Sequence, residues 1–132
     1  MKKAIAILLL FTCLISCSSC GTRYVNISEF SSDIYSNEDI AAAMEVVLQT
    51  FYESEERWTL LELSYIGDDR MEDYQDYTER EKADEVIVLL SDFYISIFSD
   101  SPVMNTGSKY HDYKWILVRN EETDWHIVDR GY

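Results

Sequence analysis

Glu85-Val86-Ile87-Val88-Leu89-Leu90-Ser91-Asp92-Phe93-Tyr94-Ile95-Ser96-Ile97-Phe98-Ser99 decides the fold. It is strongly β in composition, with Val, Ile, Phe and Tyr in quick succession. From Val86 to Leu90 every position is apolar, where a strand wetted on one side would alternate. A run of this length and composition reads as a central strand. Downstream, Asp100, Ser101, Pro102, Asn105 and Gly107 are turn formers and mark a loop. Lys109 to Arg119 is the next strand, with His111, Tyr113, Trp115 and Leu117 expected on one face. Asn120-Glu121-Glu122-Thr123 reads as a polar hairpin loop, and a last strand runs from Asp124 to about Arg130.

Upstream, Arg57 to Ile66 reads as a strand, because Leu61, Leu63 and Tyr65 alternate with Glu62 and Ser64. Gly67-Asp68-Asp69 is a turn. Asp69 is the expected cap of a second, shorter helix carrying Met71, Tyr74 and Tyr77 on one face, through about Glu81. A longer helix begins near Asn37. Ser36 is a good N-cap, and Asp39 stands three residues on, at capping-box spacing. Ile40, Met44, Val47, Leu48 and Phe51 then form one apolar stripe at helical period, and the helix is expected to end between Tyr52 and Glu55. The order is α-β-α-β-β-β. These elements predict an α+β fold in which the long N-terminal helix packs on a curved, antiparallel, four-stranded sheet.

The N-terminus predicts location. Met1-Lys2-Lys3 is followed by Ala4 to Ile15, a mostly apolar run too short for a membrane span, which needs roughly 20 residues. Polar Ser16, Ser18 and Ser19 follow at once. The pattern is that of a secretory signal peptide. Leu14-Ile15-Ser16-Cys17 resembles the lipobox of bacterial lipoproteins, in which the cysteine receives a diacylglyceryl group and the chain is cut just before it. Two alternatives stand beside lipidation of Cys17. One is ordinary cleavage near Ser18 or Ser19, and the other is lipidation of Cys20. The organisation that follows is a signal peptide over 1–16, a lipidated cysteine and flexible tether over 17–35, and one domain over 36–132. Cys13, Cys17 and Cys20 are the only cysteines, so the domain has no disulfide. The expected location is the cell membrane, lipid-anchored on the extracytoplasmic side.

Charge narrows the partners. The whole chain has 11 Lys+Arg against 25 Asp+Glu, a formal net charge of −14. Removal of Lys2 and Lys3 with the signal peptide makes it more negative still. Nucleic acid needs clustered basic residues and is excluded as a partner. The membrane, through the lipid anchor, and a small ligand or protein partner remain. The acidity reads first as solubility beside a negatively charged envelope, and the sharper alternative is a cationic ligand or partner. Ten tyrosines against four glycines and one proline argue for a compact domain and against disorder.

Five segments carry a resemblance. They are Ile34-Tyr35-Ser36 with Asp39-Ile40; Thr59 to Tyr65; Ala83 to Phe93; Trp115-Ile116-Leu117-Val118-Arg119; and Trp125 to Tyr132. Together they resemble a family of uncharacterised lipoproteins from gut Gram-positive bacteria, over about residues 34–132. The resemblance implies a cone similar to the cystatin-like and nuclear-transport-factor-like folds, a helix cupped by a curved sheet. It implies no activity and no catalytic residue.

The chemistry-bearing residues are few. His111 and His126 are the only histidines. An enzyme of the cone type would need one of them beside a carboxylate inside the cavity. Asp68, Asp69, Glu72, Asp73 and Asp76 form an acidic run without the spacing and central glycine of a calcium loop, and read as a solvated helix face. Tyr65, Tyr74, Tyr77, Tyr113 and Trp115, with His111, form a candidate aromatic ligand pocket if the second helix caps the sheet. No metal site, cofactor or catalytic signature is expected. The reading that remains is a membrane-tethered binding module.

Overall fold

A computed structural model describes residues 25–53, 57–100, 102 and 104–132. Cys17, Cys20, the signal peptide and the first half of the tether lie outside the described residues.

The long helix, α1, spans Asn37–Glu53. Its start is the expected capping box. The Asp39 amide donates to Ser36 Oγ at 3.1 Å, and the Ser36 amide and hydroxyl donate back to Asp39 Oδ2 at 3.3 and 2.8 Å. Ile40, Ala43, Met44, Val47 and Phe51 are its buried residues.

The strands are β1 (Asn26–Ile27), β2 (Trp58–Tyr65), β3 (Glu85–Ile95), β4 (Lys109–Arg119) and β5 (His126–Gly131). They form one sheet in the order β1-β2-β3-β4-β5, so β3 is the central strand. Val86, Ile87, Val88 and Leu89 are all buried, on both faces. The expected four-stranded antiparallel sheet is corrected in one respect: there are five strands, and the added β1 runs parallel to β2, with Asn26 opposite Glu62. Its two residues come from the stretch expected to be tether. The Ser28 amide extends the pairing to the Leu63 carbonyl at 3.1 Å, and the Ser28 hydroxyl donates to Glu62 at 2.7 Å.

Three bulges shift the pattern of faces. In β2 the register slips between Leu60 and Glu62. Trp58, Leu60 and Leu63 are therefore the buried residues of β2, where alternation alone predicts Leu61 beside Leu63. In β4, His111 and Asp112 stand opposite the single residue Asp92, with Asp112 at φ 53°. A third slip falls between Ile116 and Leu117 against β5. Bulges bend and twist the strand that carries them.

Two layers cover the sheet. Phe51 of α1 packs on Phe93 and Trp115, with ring centroids 5.7 and 5.4 Å apart. Those two residues share a face with Leu89 and Ser91. A 3₁₀ helix, Asp68–Tyr74, and a short helix, α2 (Asp76–Glu81), pack against β3 and, for α2, also β4. The Tyr77 hydroxyl of α2 donates to Asp129 at 2.6 Å, and Asp129 pairs with Ile116 on the other face. The second helix thus divides into a 3₁₀ segment and a helical turn, and Asp69 does not cap it. The residue before the 3₁₀ helix is Gly67, at φ 99°.

Asp68, the neighbour of the expected cap, fastens the N-terminal segment. It accepts from the Ser32 hydroxyl at 2.5 Å, the Asp33 amide at 2.7 Å and the Tyr65 hydroxyl at 2.8 Å. The Ser32 and Asp33 hydrogen bonds hold its carboxyl below the usual range. A depressed carboxylate contributes stability above the unfolded pKa of about 3.9 and loses it as pH falls through the folded value. Asp68→Ala should therefore speed hydrogen exchange at the Asp33 and Tyr35 amides at neutral pH while leaving β3 protected. The wild-type chain should show the same local opening only in acid. Equal exchange in both proteins at pH 7 would remove Asp68 from this role.

Candidate functional site

The α1 side of the sheet is filled rather than hollow. Phe93 stacks on Trp58 at 4.9 Å and 7° and on Tyr110 at 5.4 Å and 15°, and meets Tyr113 edge-on at 5.3 Å. Trp115 is buried beside them, and its indole N–H donates to the buried Ser91 hydroxyl at 2.7 Å. Ser91 thus supplies the acceptor that a buried indole needs.

The aromatic residues singled out from the sequence do not line one cavity. Tyr113 and Trp115 are buried in this core. Tyr65 packs edge-on against Tyr35 at 6.1 Å, and burial pushes its hydroxyl pKa up, with the Asp68 hydrogen bond adding to the effect. Tyr74 and Tyr77 belong to the 3₁₀ helix and α2. His111 is parted from Tyr113 and Trp115 by the β4 bulge, and its side chain is 64% exposed. Its Nδ1 lies 2.6 Å from Asp92 Oδ2, while Asp92 Oδ1 accepts the Asp112 amide at 3.0 Å. One carboxylate thereby spans both residues of the bulge, which accounts for the pair structurally. His126 is exposed, and its Nδ1 faces the Asp124 carbonyl at 3.2 Å.

The large concavity lies elsewhere. A cleft of about 1120 Å³ opens between the outer side of α1 and the loop joining β4 to β5. From α1 it takes Ala42, Glu45, Val46, Gln49, Thr50 and Glu53. Asp84, Glu85 and Arg119 form its end, and Asn120, Glu121, Thr123, Asp124 and Trp125 its far wall. The loop is shaped by its own side chains. The Asn120 amide donates to the Thr123 hydroxyl at 3.1 Å, and the Glu122 amide to the Asn120 side-chain oxygen at 3.0 Å. The Glu121 amide donates to Asp84 at 3.1 Å, tying the loop to the start of β3.

Among the described residues, six carboxylates line the cleft: Glu45, Glu53, Asp84, Glu85, Glu121 and Asp124. The single cation of the lining among the described residues, Arg119, is already committed. Its Nε donates to Glu85 at 2.5 Å and its Nη1 to Asp39 at 2.6 Å. These bonds raise its pKa and lower that of Asp39. The guanidinium also lies 4.3 Å above the Trp125 ring, a cation–π contact. The Trp125 indole N–H is buried and has no hydrogen-bond partner among the described residues. Ala42, Val46 and the Trp125 ring give the cleft apolar surface between the charges.

Sequence reasoning named none of these residues as a site. The acidity was legible, but its gathering into one cleft depends on contacts across up to 80 residues of chain. Among the described residues, no group of three or more His, Cys, Asp or Glu side chains is arranged to hold a metal, and no helix is long and apolar enough to cross a membrane. No protein-family model matches the chain, and neither a curated protein nor a solved structure matches it significantly.

Proposed function

We propose that this chain is a lipid-anchored, extracytoplasmic binding module whose α1–hairpin cleft takes a cationic ligand with an apolar portion, such as a basic peptide segment. The observation that carries the reading is the cleft: six carboxylates around apolar wall, with its one arginine neutralised from within. A concave wall holding like charges at low dielectric focuses potential and favours a cation. Anchorage through Cys17 is supported by Leu14-Ile15-Ser16-Cys17 after a short apolar run. Kinship with cystatin-like and nuclear-transport-factor-like cones is supported by a helix seated on a bulged, largely antiparallel sheet. The parallel β1 and the covered second face are its departures from a simple cone. An enzyme built on a cavity His/Asp pair draws no such support, since His111 and Asp92 meet at an exposed bulge.

Calorimetric titration with a short Lys/Leu peptide tests the reading. Binding should weaken with salt. Glu45→Gln with Glu121→Gln, both exposed and lining the cleft, should reduce affinity about three- to tenfold, since exposed ion pairs each contribute up to about 1 kcal/mol. Glu72→Gln with Asp73→Asn removes the same charge outside the cleft and should change it little. If the second pair of substitutions matters as much as the first, the attraction is general and the cleft is not the site.

A further inference from the structure

The geometry points to a membrane-contacting tip: the turn carrying Ile97 and Phe98 seats on the outer leaflet surface to which the chain is tethered. This rests on the anchor reading proposed above.

Ile97 and Phe98 are adjacent and 63% and 69% exposed, above Ile27 at 46% and Ile34 at 54%. Their exposure is built rather than incidental. The Ser96 amide donates to the Arg57 carbonyl at 3.0 Å, Gly107 to Ile95 at 2.8 Å, and Ile95 to Ser108 at 3.0 Å. Ser99 donates back to Ser96 at 2.9 Å, and the Phe98 amide to the Ser96 hydroxyl at 3.2 Å. Gly107 sits at φ 75°, and a Cβ there would lie 2.9 Å from Ile97 Cγ2. The turn thus holds two adjacent large apolar side chains at the surface, the beginning of an apolar contact site.

The direction of the chain says what covers them. β1 runs parallel to β2, so the chain enters β1 from the Trp58 end of the sheet. Trp58 pairs with Ile95, which places that end beside the Ile97–Phe98 turn. Glu62, level with the start of β1, is four residues from Trp58, or about 13 Å along the strand. Cys17 precedes Val25 by eight residues, a reach of at most about 28 Å fully extended. A lipid on Cys17 therefore tethers the domain by this end, within at most about 28 Å of the bilayer.

The surroundings fit an interface. Tyr52, at the last turn of α1, is 57% exposed at the same end, since its neighbour Phe51 packs on Trp58 at 6.3 Å. Arg57 and Lys109 flank the turn, are exposed, and make no ion pair among the described residues. Aromatic and basic side chains around an apolar tip suit the headgroup region, where rings and cations both find partners. One end of the acidic cleft, at Glu85 and Arg119, lies at the opposite ends of β3 and β4, while its Glu53 end reaches back beside Tyr52. Contact through the turn leaves the Arg119 end of the cleft on the side away from the membrane.

The test uses the acylated full-length chain in phosphatidylcholine vesicles, with Cys20→Ser so that one introduced thiol can carry an environment-sensitive dye. The dye is placed by Phe98→Cys or, at the far end, by Glu122→Cys. The expected result is a blue-shifted emission at position 98 with several-fold less quenching by iodide than at position 122, and more quenching by brominated lipid. Adding Ile97→Ser to the Phe98→Cys chain should reduce that difference. Acylation is read separately from the mass of the N-terminal peptide. An acylated chain whose positions 98 and 122 are equally open to iodide leaves the anchor standing and overturns the tip. An unmodified Cys17 overturns the anchor and the proposal with it.

Discussion

Phe93→Ala should remove about 4 kcal/mol from the stability of the domain, the cost of truncating a fully buried phenylalanine in a site that cannot collapse. Phe93 is 0% exposed and touches Trp58, Tyr110, Tyr113 and Phe51. Those four rings are fixed by three elements: β2, α1, and β4 at two positions on either side of a bulge. None can swing into the void without breaking its own strand or helix. A domain of this size has a total stability of about 5–15 kcal/mol, so the variant should lose much of its urea midpoint and part of its near-ultraviolet circular dichroism. Phe93→Leu keeps most of the volume and should cost about 1.5 kcal/mol or less. Phe98→Ala, five residues along the chain and exposed, should stay within about 0.5 kcal/mol of wild type. Similar losses at positions 93 and 98 would show that the stacked cluster is not the core of the domain.

The contrast between those two phenylalanines shows where the sequence can be read. The continuous apolar run from Val86 to Leu90 announces burial on both faces, and β3 is the central strand with both faces covered. Ser36 and Asp39 announce a helix start because capping is local, involving groups three residues apart. Face assignment fails where a bulge intervenes. A strand shifted by one residue turns every later side chain over. His111 and Tyr113 read as neighbours on one face because nothing in Tyr110-His111-Asp112-Tyr113 marks the extra residue. The carboxylate that stabilises the bulge belongs to Asp92, on the other strand.

Non-local pairing hides the rest. Asn26-Ile27 has no composition that distinguishes it from a tether, since it joins the sheet through backbone groups and its partners are more than thirty residues away. Asp68 and Asp69 are equivalent as candidate caps in sequence. Only the arrival of Ser32, Asp33 and Tyr65 makes Asp68 the fastening point. The cleft is illegible for the same reason. Glu45, Asp84 and Glu121 are ordinary surface acids until α1 and the β4–β5 loop face one another.

Arg119 separates structure from binding in that cleft, because its removal should move the two in opposite directions. Its guanidinium joins Asp39 at the start of α1 to Glu85 at the start of β3 and lies over Trp125. A planar donor fork serves both carboxylates at once, which a lysine ammonium on a flexible stem cannot reproduce. Arg119→Met leaves two carboxylates and a ring without their common partner. The groups are partly exposed, so screening holds the expected loss to about 2 kcal/mol at neutral pH. Arg119→Lys should recover only part of it. The deficit should depend on pH. Asp39 is held below its ordinary value first by the Arg119 hydrogen bond and then by Ser36. Its contribution is present above the unfolded carboxylate pKa of about 3.9 and is lost as pH falls through the folded value, so wild type and variant should converge in acid. The same substitution removes the only positive charge that the described residues give the cleft lining. At a temperature where the variant remains folded, a Lys/Leu peptide should therefore bind it at least as tightly as wild type. A folded Arg119→Met protein that binds the peptide more weakly would mean that Arg119 contacts the ligand itself, and the ligand would then have to present an anionic group.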